Sequence, residues 1–202
     1  MEQLACARIG ATFNQYAESA LLRRRLAAYL EARREAALLL VGEAAGYRGA
    51  RVSGLPFTSE RQLTGTGPAE ATATVVQRVL AELGVADATL LWNLVPTHPY
   101  RPGEAASNRP PTAAELEAAR PFLEELARGR RVVAVGRLAQ RRFGGPYIRH
   151  PSHGGAAAFR EGLRRALLQP LSLPSASCPR GTCPGPGPGR GRGGRWSSPA
   201  TA

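Results

Sequence analysis

Three short segments of the sequence carry side chains that could bind a small polar ring. Each one follows an apolar run: GEAAGYRG begins at Gly42, NLVPTHPYRPG begins at Asn93, and HPSHGG begins at His150. The glycines leave the backbone of the first segment open to a close ligand. Asn93 offers a donor and an acceptor on one carboxamide, and His150 offers an imidazole. Together with the aromatic side chain of Phe57, in SGLPFTSE, they indicate a pocket for a flat polar ring.

Each of these residues also has an ordinary structural explanation. A glycine-rich turn after a strand is common, an asparagine can cap a strand end, a phenylalanine can belong to the core, and a histidine can cap a loop. The first segment is neither a dinucleotide-binding fingerprint, because GxGxxG fails at Ala44, nor a P-loop, because it lacks GK[ST]. His98, in PTHPY, either lines the pocket or caps its loop.

The elements that must position these segments alternate between strands and helices. Apolar runs at 37–42, 88–95 and 131–136, and a short fourth at 147–149, are typical of strands buried on both faces of a parallel sheet. Helices are expected at 14–34, 69–83, 112–128, 137–142 and 155–168. Glu115, three residues after Thr112, predicts a capping box. The fold class is α/β, a three-layer α/β/α sandwich with a four-stranded parallel central sheet, whose ligands bind at the carboxyl ends of the strands.

Charge and composition favour a polyanionic partner. The 202 residues carry a net charge of +12, and all 27 basic residues are arginines. Arginine binds phosphate oxygens through a planar fork, and the absence of lysine excludes Schiff-base and P-loop lysine chemistry. Residues 1–169 are expected to form the catalytic domain. Residues 170–202, rich in Pro, Gly and Arg, are expected to be a disordered tail because they contain too few apolar residues for a core.

Cysteine usage and hydropathy predict a protein of the reducing cytoplasm. Cys6, Cys178 and Cys183 are too few for a disulfide framework and lack the paired spacing of a metal or cluster site. We therefore expect no metal, no cluster and no cofactor. No apolar run approaches the roughly 20 residues that a membrane span needs, and we expect no signal peptide because Glu2 and Arg8 flank only a brief apolar stretch. A monomer without membrane contact is expected.

The order of these motifs resembles the uracil-DNA glycosylase superfamily, in which a GEAPG-type loop, a downstream Phe, an Asn at a strand end and a late HPS motif recur. GEAAG, Phe57, Asn93 and His150-Pro151-Ser152 match those places. The resemblance covers about residues 14–168, including NRPPTAAEL and VVAVGRLA. It is closest to a bacterial branch with a GEAPG-like first motif and an HPS second motif, without the cysteines of the iron-sulfur branch.

The resemblance implies a DNA glycosylase that flips out uracil, or a related deaminated base, and hydrolyses its N-glycosidic bond to initiate base excision repair. The catalytic residues would be His150, Glu43 and Asn93. His150 would donate a hydrogen bond to uracil O2, Asn93 would pair with N3–H and O4, and Phe57 would stack on the ring. The partner would be DNA, either single-stranded or a mismatched duplex with a deaminated base.

The first motif departs from the best-known branch of that superfamily. Ala44 occupies the place of its catalytic Asp, so Glu43 is the candidate for positioning the water, unless it is a structural carboxylate that accepts loop amides. Ala45 replaces the Pro of GEAPG. Gly46 stands where the strictest branch has a tyrosine that excludes the methyl group of thymine.

The resemblance implies a substrate-binding set that surrounds the base, with His153 at the place of a side chain that wedges into the base stack. Its members are Gly42, Ala44, Gly46, Tyr47, Phe57, Ser152 and His153. Two alternatives stay open: a catalytically weak or silent binder of damaged or single-stranded DNA, and a small-molecule α/β enzyme whose arginines only keep it soluble.

Overall fold

The computed structural model describes residues 2–144 and 146–169. These residues belong to one compact unit, Met1–Leu171. The expected disordered tail at 170–202, with Cys178 and Cys183, lies outside the described residues.

Four parallel strands form the central sheet, as the apolar runs predict. In chain order the strands are β1 (Thr12–Phe13), β2 (Leu38–Ala44), β3 (Thr89–Val95), β4 (His98–Pro99), β5 (Arg131–Val135) and β6 (Tyr147–Ile148). The sheet has the order β3-β2-β5-β6, and Leu40 in β2 pairs with Leu91 on one side and Val133 on the other. β1 and β4 form a separate antiparallel pair that periodicity did not predict.

Nine helices surround the strands in the described part of the chain. They are α1 (Glu2–Cys6), α2 (Gln15–Glu18), α3 (Ala20–Ala32), α4 (Ala50–Ser53), α5 (Glu60–Thr64), α6 (Ala71–Glu82), α7 (Ala113–Ala127), α8 (Arg137–Phe143) and α9 (Ala156–Leu168). None of these described helices is long and apolar enough to cross a membrane. The capping box is confirmed: Glu115 N donates to Thr112 Oγ1 at 3.2 Å, and Thr112 N donates to Glu115 Oε2 at 2.8 Å.

The sheet is the middle of three layers. Leu39 and Val41 of β2 pack into one core cluster, with side chains from α1, α3, α7 and α8. Leu38 and Leu40 pack into a second cluster, with side chains from α6 and α9. Alternate side chains of a strand point to opposite faces, so helices cover both faces of β2. The α/β/α sandwich is therefore confirmed.

The single helix expected at 14–34 is wrong, because the chain breaks at Ser19. Asn14 caps α2 by accepting hydrogen bonds from the backbone N–H groups of Tyr16 and Ala17. Ser19 is extended, with φ −133° and ψ 113°, and its hydroxyl accepts from the N–H of Leu22 to start α3. Both side chains stabilise helix starts, which apolar periodicity does not detect.

Candidate active site

Two adjoining cavities lie where the carboxyl ends of β2 and β3 meet the segment after β6. The inner cavity, of about 80 Å³, is lined by Glu43, Ala44, Gly46, Ala50, Phe57, Glu70, Thr72, Asn93 and His150. The outer cavity, of about 590 Å³, shares five of these residues, namely Glu43, Ala44, Gly46, Glu70 and His150. It adds Ser152, His153 and three arginines, namely Arg109, Arg137 and Arg141, among its other walls. Three segments that are distant in sequence therefore meet at one site.

Asn93 is a largely buried residue whose carboxamide lines the inner cavity. It lies in β3, opposite Gly42 of β2, and only 5% of its surface is exposed. Its carboxamide makes no hydrogen bond with any residue in the described ranges. The carboxamide is therefore available to a ligand in the inner cavity.

Gly42 allows the ring of Phe57 and the carboxamide of Asn93 to approach each other. A Cβ atom at Gly42 would lie 2.8 Å from Asn93 Oδ1 and 2.8 Å from Phe57 Cε2, which is closer than such atoms can pack. Gly42 does not itself line either cavity. Its contribution is to leave room for the two side chains that do line the inner one.

Phe57 is held in a backbone conformation that few bulky residues adopt. Its φ is +50°, in the left-handed region, where such a residue costs of order 1–3 kcal/mol. The loop is fixed from two sides: Gln77 Nε2 of α6 donates to the Phe57 carbonyl at 3.1 Å, and Ser53 Oγ donates to the Thr58 carbonyl at 2.6 Å. Phe57 contacts the second core cluster as well as lining the inner cavity. Phe57 is therefore both a core residue and a pocket residue, the two alternatives that the sequence left open.

The hydrogen bonds of His150 define which ring nitrogen can donate. The backbone N–H of Ser152 donates to Nδ1 at 3.2 Å, and Ser152 Oγ lies 2.8 Å from the same atom. Nδ1 therefore accepts, and the proton of the neutral imidazole is on Nε2. Burial, and to a lesser extent the proximity of His153, lower the pKa of His150. At neutral pH the side chain is a neutral Nε2–H donor on the wall of both cavities.

Glu43 is a half-buried acid at the end of β2. Burial raises the pKa of its carboxyl, and the Arg141 guanidinium partly opposes this rise. No described side chain or loop amide donates a hydrogen bond to it, so the structural explanation of Glu43 as an acceptor of loop amides has no contact to support it. The carboxylate lines both cavities.

Glu70, immediately before α6, is a second acid that sequence reasoning missed. Its carboxyl packs beside Gly46 and Gly49, and a Cβ atom on either glycine would collide with it. Burial raises the pKa of Glu70, and no hydrogen bond or ion pair satisfies it within residues 2–144 and 146–169. The sequence offered one signal for Glu70 as a site residue, since it is the only charged residue between Arg61 and Arg78.

Of the remaining expected site residues, four line a cavity and Tyr47 does not. Ala44 and Gly46 line both cavities, and Ser152 and His153 line the outer one. Tyr47 lines neither. Its N–H donates to Asn108 Oδ1 at 2.8 Å.

His98 supports the loop after β2 and lines neither cavity. It is fully buried, and its Nδ1 donates to the carbonyl of Ala45, 2.8 Å away. Its ring lies between those of Tyr47 and Tyr100, with centroids 5.9 and 6.1 Å away. Of the two interpretations that the sequence left open, the structure supports the loop cap.

Two arginines add positive charge to the outer cavity. Arg137 and Arg141 lie one turn apart on α8, and both line this cavity. Neither forms an ion pair with an acid in the described part of the chain. They are therefore available to an anionic ligand. The described residues contain no group of three or more His, Cys, Asp or Glu that could hold a metal ion.

Comparisons with known proteins relate this chain to a family. The sequence model described as "Uracil DNA glycosylase superfamily" matches residues 30–178. No curated protein matches the sequence. Among solved structures, the chain is similar to wild-type SMUG2 of Pedobacter heparinus, with a TM-score of 0.56 and 14% sequence identity over 77% of this chain and 86% of that one. At this identity the structural likeness concerns the fold alone.

Proposed function

The chain belongs to the uracil DNA glycosylase superfamily, and from this premise we propose that it flips uracil, or a related deaminated base, out of DNA and hydrolyses its N-glycosidic bond. One observation carries the proposal: Asn93, Phe57 and His150, from three separate segments, line one cavity. They supply an amide, an aromatic face and a hydrogen-bond donor, which suit the edge, the face and the O2 atom of a flipped pyrimidine.

Base selection would depend on Asn93. Its carboxamide can accept from N3–H and donate to O4 of uracil, whereas cytosine presents the reversed pattern and would leave the amide unsatisfied. The Phe57 ring would stack on the base, an interaction worth about 1–3 kcal/mol. The strained but well-held backbone at Phe57 supports a fixed stacking surface.

Bond cleavage requires the base to leave with the electron pair of the C1′–N1 bond. His150 would stabilise the resulting anion by donating its Nε2–H to O2, in the manner of an oxyanion hole. Glu43 would orient the water whose oxygen bonds to C1′ and would accept its proton, a role that needs the ionised carboxylate. Arg141 favours this ionised form. The chain has no lysine, so a lysine-dependent strand-cleaving step is excluded and the enzyme would be monofunctional.

The outer cavity would hold the DNA backbone around the flipped nucleotide. Arg137 and Arg141 would contact phosphates, and the exposed His153 would enter the space that the base leaves in the stack. Single-stranded DNA and mismatched duplexes would be the preferred substrates, because flipping costs least there.

The decisive experiment measures base release by the purified protein. Oligonucleotides with one uracil, as single strand, U:A duplex and U:G duplex, are incubated with chelator, and free uracil and alkali-labile sites are quantified. We expect release that survives chelation. His150→Ala is expected to lower kcat by about 100- to 1000-fold, the usual cost of an oxyanion donor. Asn93→Asp is expected to lower the preference for uracil over cytosine.

Gln169→Glu is the matched control for Asn93→Asp. It makes the same amide-to-acid change on an exposed side chain, which lies next to Arg131 at the opposite end of the sheet. Unchanged rates for both site variants would remove the site assignment. If the wild-type chain releases no base but binds the uracil oligonucleotide tightly and in a salt-sensitive way, the protein is a silent binder. This alternative is specific because Ala44 stands where the best-known branch has its catalytic Asp.

A further inference from the structure

A third cavity, of about 130 Å³, lies on the face of the sheet opposite to Asn93. Side chains from α1, α3, β3 and α7 line it, and Trp92 is the one from β3. Trp92 precedes Asn93 on this strand, and consecutive side chains of a strand point to opposite faces of a sheet. Accordingly, Trp92 belongs to the first core cluster, whereas Phe57 of the candidate active site belongs to the second. The third cavity is therefore separate from the candidate active site.

Trp92 brings to this cavity a buried hydrogen-bond donor that has no acceptor. Only 2% of its surface is exposed, and its indole Nε1 makes no hydrogen bond with any residue in the described ranges. A buried indole N–H usually finds a partner, because an unsatisfied buried donor destabilises the fold. Since the indole forms part of the cavity wall, a molecule in the cavity that accepts a hydrogen bond from Nε1 would satisfy this donor.

The other walls of the cavity indicate what kind of molecule would fit. Gln3 and Glu125 are exposed, so they mark the side that opens to solvent. The remaining walls are the apolar side chains of Leu4, Leu30, Phe122 and Leu126. A buried water needs roughly two to four polar partners, whereas an apolar cavity of about 150 Å³ can hold a benzene ring. One buried donor in an apolar surround therefore favours a ring-sized apolar molecule over a water.

We propose that the third cavity is a binding site for a small uncharged ring compound that carries one hydrogen-bond acceptor, such as a cyclic alcohol or ketone. The ring would pack against Leu30, Phe122 and Leu126, and its oxygen would accept the Nε1–H of Trp92. This site contains no residue of the candidate active site, so the proposal is independent of the proposed function.

The test uses benzyl alcohol as the probe and the tryptophan emission as the signal. The chain has two tryptophans, Trp92 and Trp196, so the full chain with Trp196→Phe reports on Trp92 alone. We expect benzyl alcohol to change this emission saturably, with a Kd of about 1 mM for a ligand of this size. Leu126→Phe enlarges a side chain of the cavity wall and should weaken binding at least about tenfold. Leu116→Phe, the same change on α7 outside this cavity, is the matched control and should leave Kd unchanged.

The hydrogen bond from Trp92 is tested with toluene, which has the same ring as benzyl alcohol but no acceptor. Trp92→Phe removes the N–H, and titration calorimetry then replaces the tryptophan emission as the measurement. The ratio of the Kd for benzyl alcohol to the Kd for toluene is expected to rise by about 2- to 10-fold, the range for one hydrogen bond. The different hydrophobicities of the two ligands cancel in this comparison.

Three results would overturn the proposal. An emission that benzyl alcohol leaves unchanged would mean that the cavity holds water only. Equal binding by Leu126→Phe would place the probe elsewhere on the protein. A constant Kd ratio in Trp92→Phe would show that the indole donates no hydrogen bond to the ligand. If Trp92→Phe does not fold, Leu126→Phe combined with Trp196→Phe still tests the site.

Discussion

At the residue scale, the site is made of partly or largely buried polar side chains that line the cavities and form no hydrogen bonds with the described residues. Asn93 is 5% exposed, yet its carboxamide has no hydrogen bond within the described ranges. Glu70 and Glu43 both have carboxyl pKa values that burial raises. Burial of these two carboxylates costs stability near neutral pH, and a ligand that donates a hydrogen bond to one of them recovers part of that cost. Substitutions that remove these groups should therefore affect stability and activity in opposite directions.

Glu70→Gln should stabilise the protein near neutral pH. A carboxyl whose folded pKa is raised favours the folded state only below its unfolded pKa of about 4.5, and this advantage is lost as the pH rises through the folded value. Removing the ionisable group should raise Tm at pH 7.5, by about 2–4 °C for each kcal/mol in a chain of this length. Below pH 4.5 the gain should vanish. Calorimetry at both pH values checks this, with Glu35→Gln as the control, and a lower Tm at pH 7.5 would contradict it.

The activity should depend on keeping His150 neutral. Its pKa is lowered, so the imidazole stays neutral until the pH falls below the ordinary value of 6.5. Protonation places a hydrogen on Nδ1, where the Ser152 N–H donates, and so breaks the contact that orients the ring. We expect kcat/KM for uracil release to be constant from pH 8 to about 6.5 and to decline below that value. The decline should be absent from the residual activity of His150→Ala, and its persistence there would assign it to another group.

His153 provides a test of strand separation. It is exposed on the outer cavity and has a φ of +51°, a conformation that asparagine tolerates. His153→Asn should preserve the loop but shorten the wedge, so the rate on a U:G duplex is expected to fall about tenfold or more. The rate on single-stranded uracil DNA should stay within about twofold, since no stack has to be opened. An equal loss on both substrates would instead make His153 a pocket residue.

At the element scale, the sequence predicted the parts that burial determines and missed those that tertiary contacts determine. The runs at 37–42 and 88–95 were predictable as strands buried on both faces, because apolar residues fill both of their faces, and they form β2 and β3. Periodicity could not detect the break at Ser19, which depends on two capping side chains. Glu70 precedes a helix without any motif, and only the approach of that segment to Gly46 and Gly49 makes it a site residue.

The Arg109–Glu115 ion pair at the start of α7 should make the fold sensitive to acid. Arg109 donates to both carboxylate oxygens of Glu115, at 2.6 and 2.8 Å, and this pair lowers the pKa of Glu115 to about 2. A depressed carboxyl pKa stabilises the folded state above its unfolded value, and that contribution is lost as the pH falls towards 2. Glu115→Gln should therefore lower the free energy of unfolding at pH 7 by about 3 kcal/mol.

Urea unfolding at pH 7 and pH 2.5 measures this effect. The difference in the free energy of unfolding between Glu115→Gln and the wild type should be smaller at pH 2.5 than at pH 7. Glu117→Gln, on the same helix, is the control, because its ion pairs are exposed and should contribute less than about 1 kcal/mol. An equal destabilisation at both pH values would mean that Glu115 acts through packing and not through its charge.

At the scale of the whole molecule, the charge of +12 favours a polyanionic partner, although it does not identify one. The described residues place two unpaired arginines, Arg137 and Arg141, at the outer cavity. The sequence after Gln169 adds Arg180, Arg190, Arg192 and Arg195 without any acid. The first pair would position a nucleotide at the site, whereas the later four would add affinity for DNA of any sequence.

This division predicts different salt dependences for the two groups of arginines. Replacing Arg180, Arg190, Arg192 and Arg195 together by glutamine in the full chain should reduce the slope of log K for DNA binding against log salt, by at most about 0.9 for each arginine on duplex DNA. It should leave kcat for uracil release unchanged, because these residues are not in the proposed chemistry. Replacing Arg137 and Arg141 should reduce the slope and also lower kcat, since Arg141 favours the ionised form of Glu43. DNA-binding titrations between 50 and 200 mM salt, with single-turnover rates measured alongside, separate the effect on affinity from the effect on kcat. A loss of kcat in the variant with all four arginines after Gln169 replaced would place those arginines at the active site.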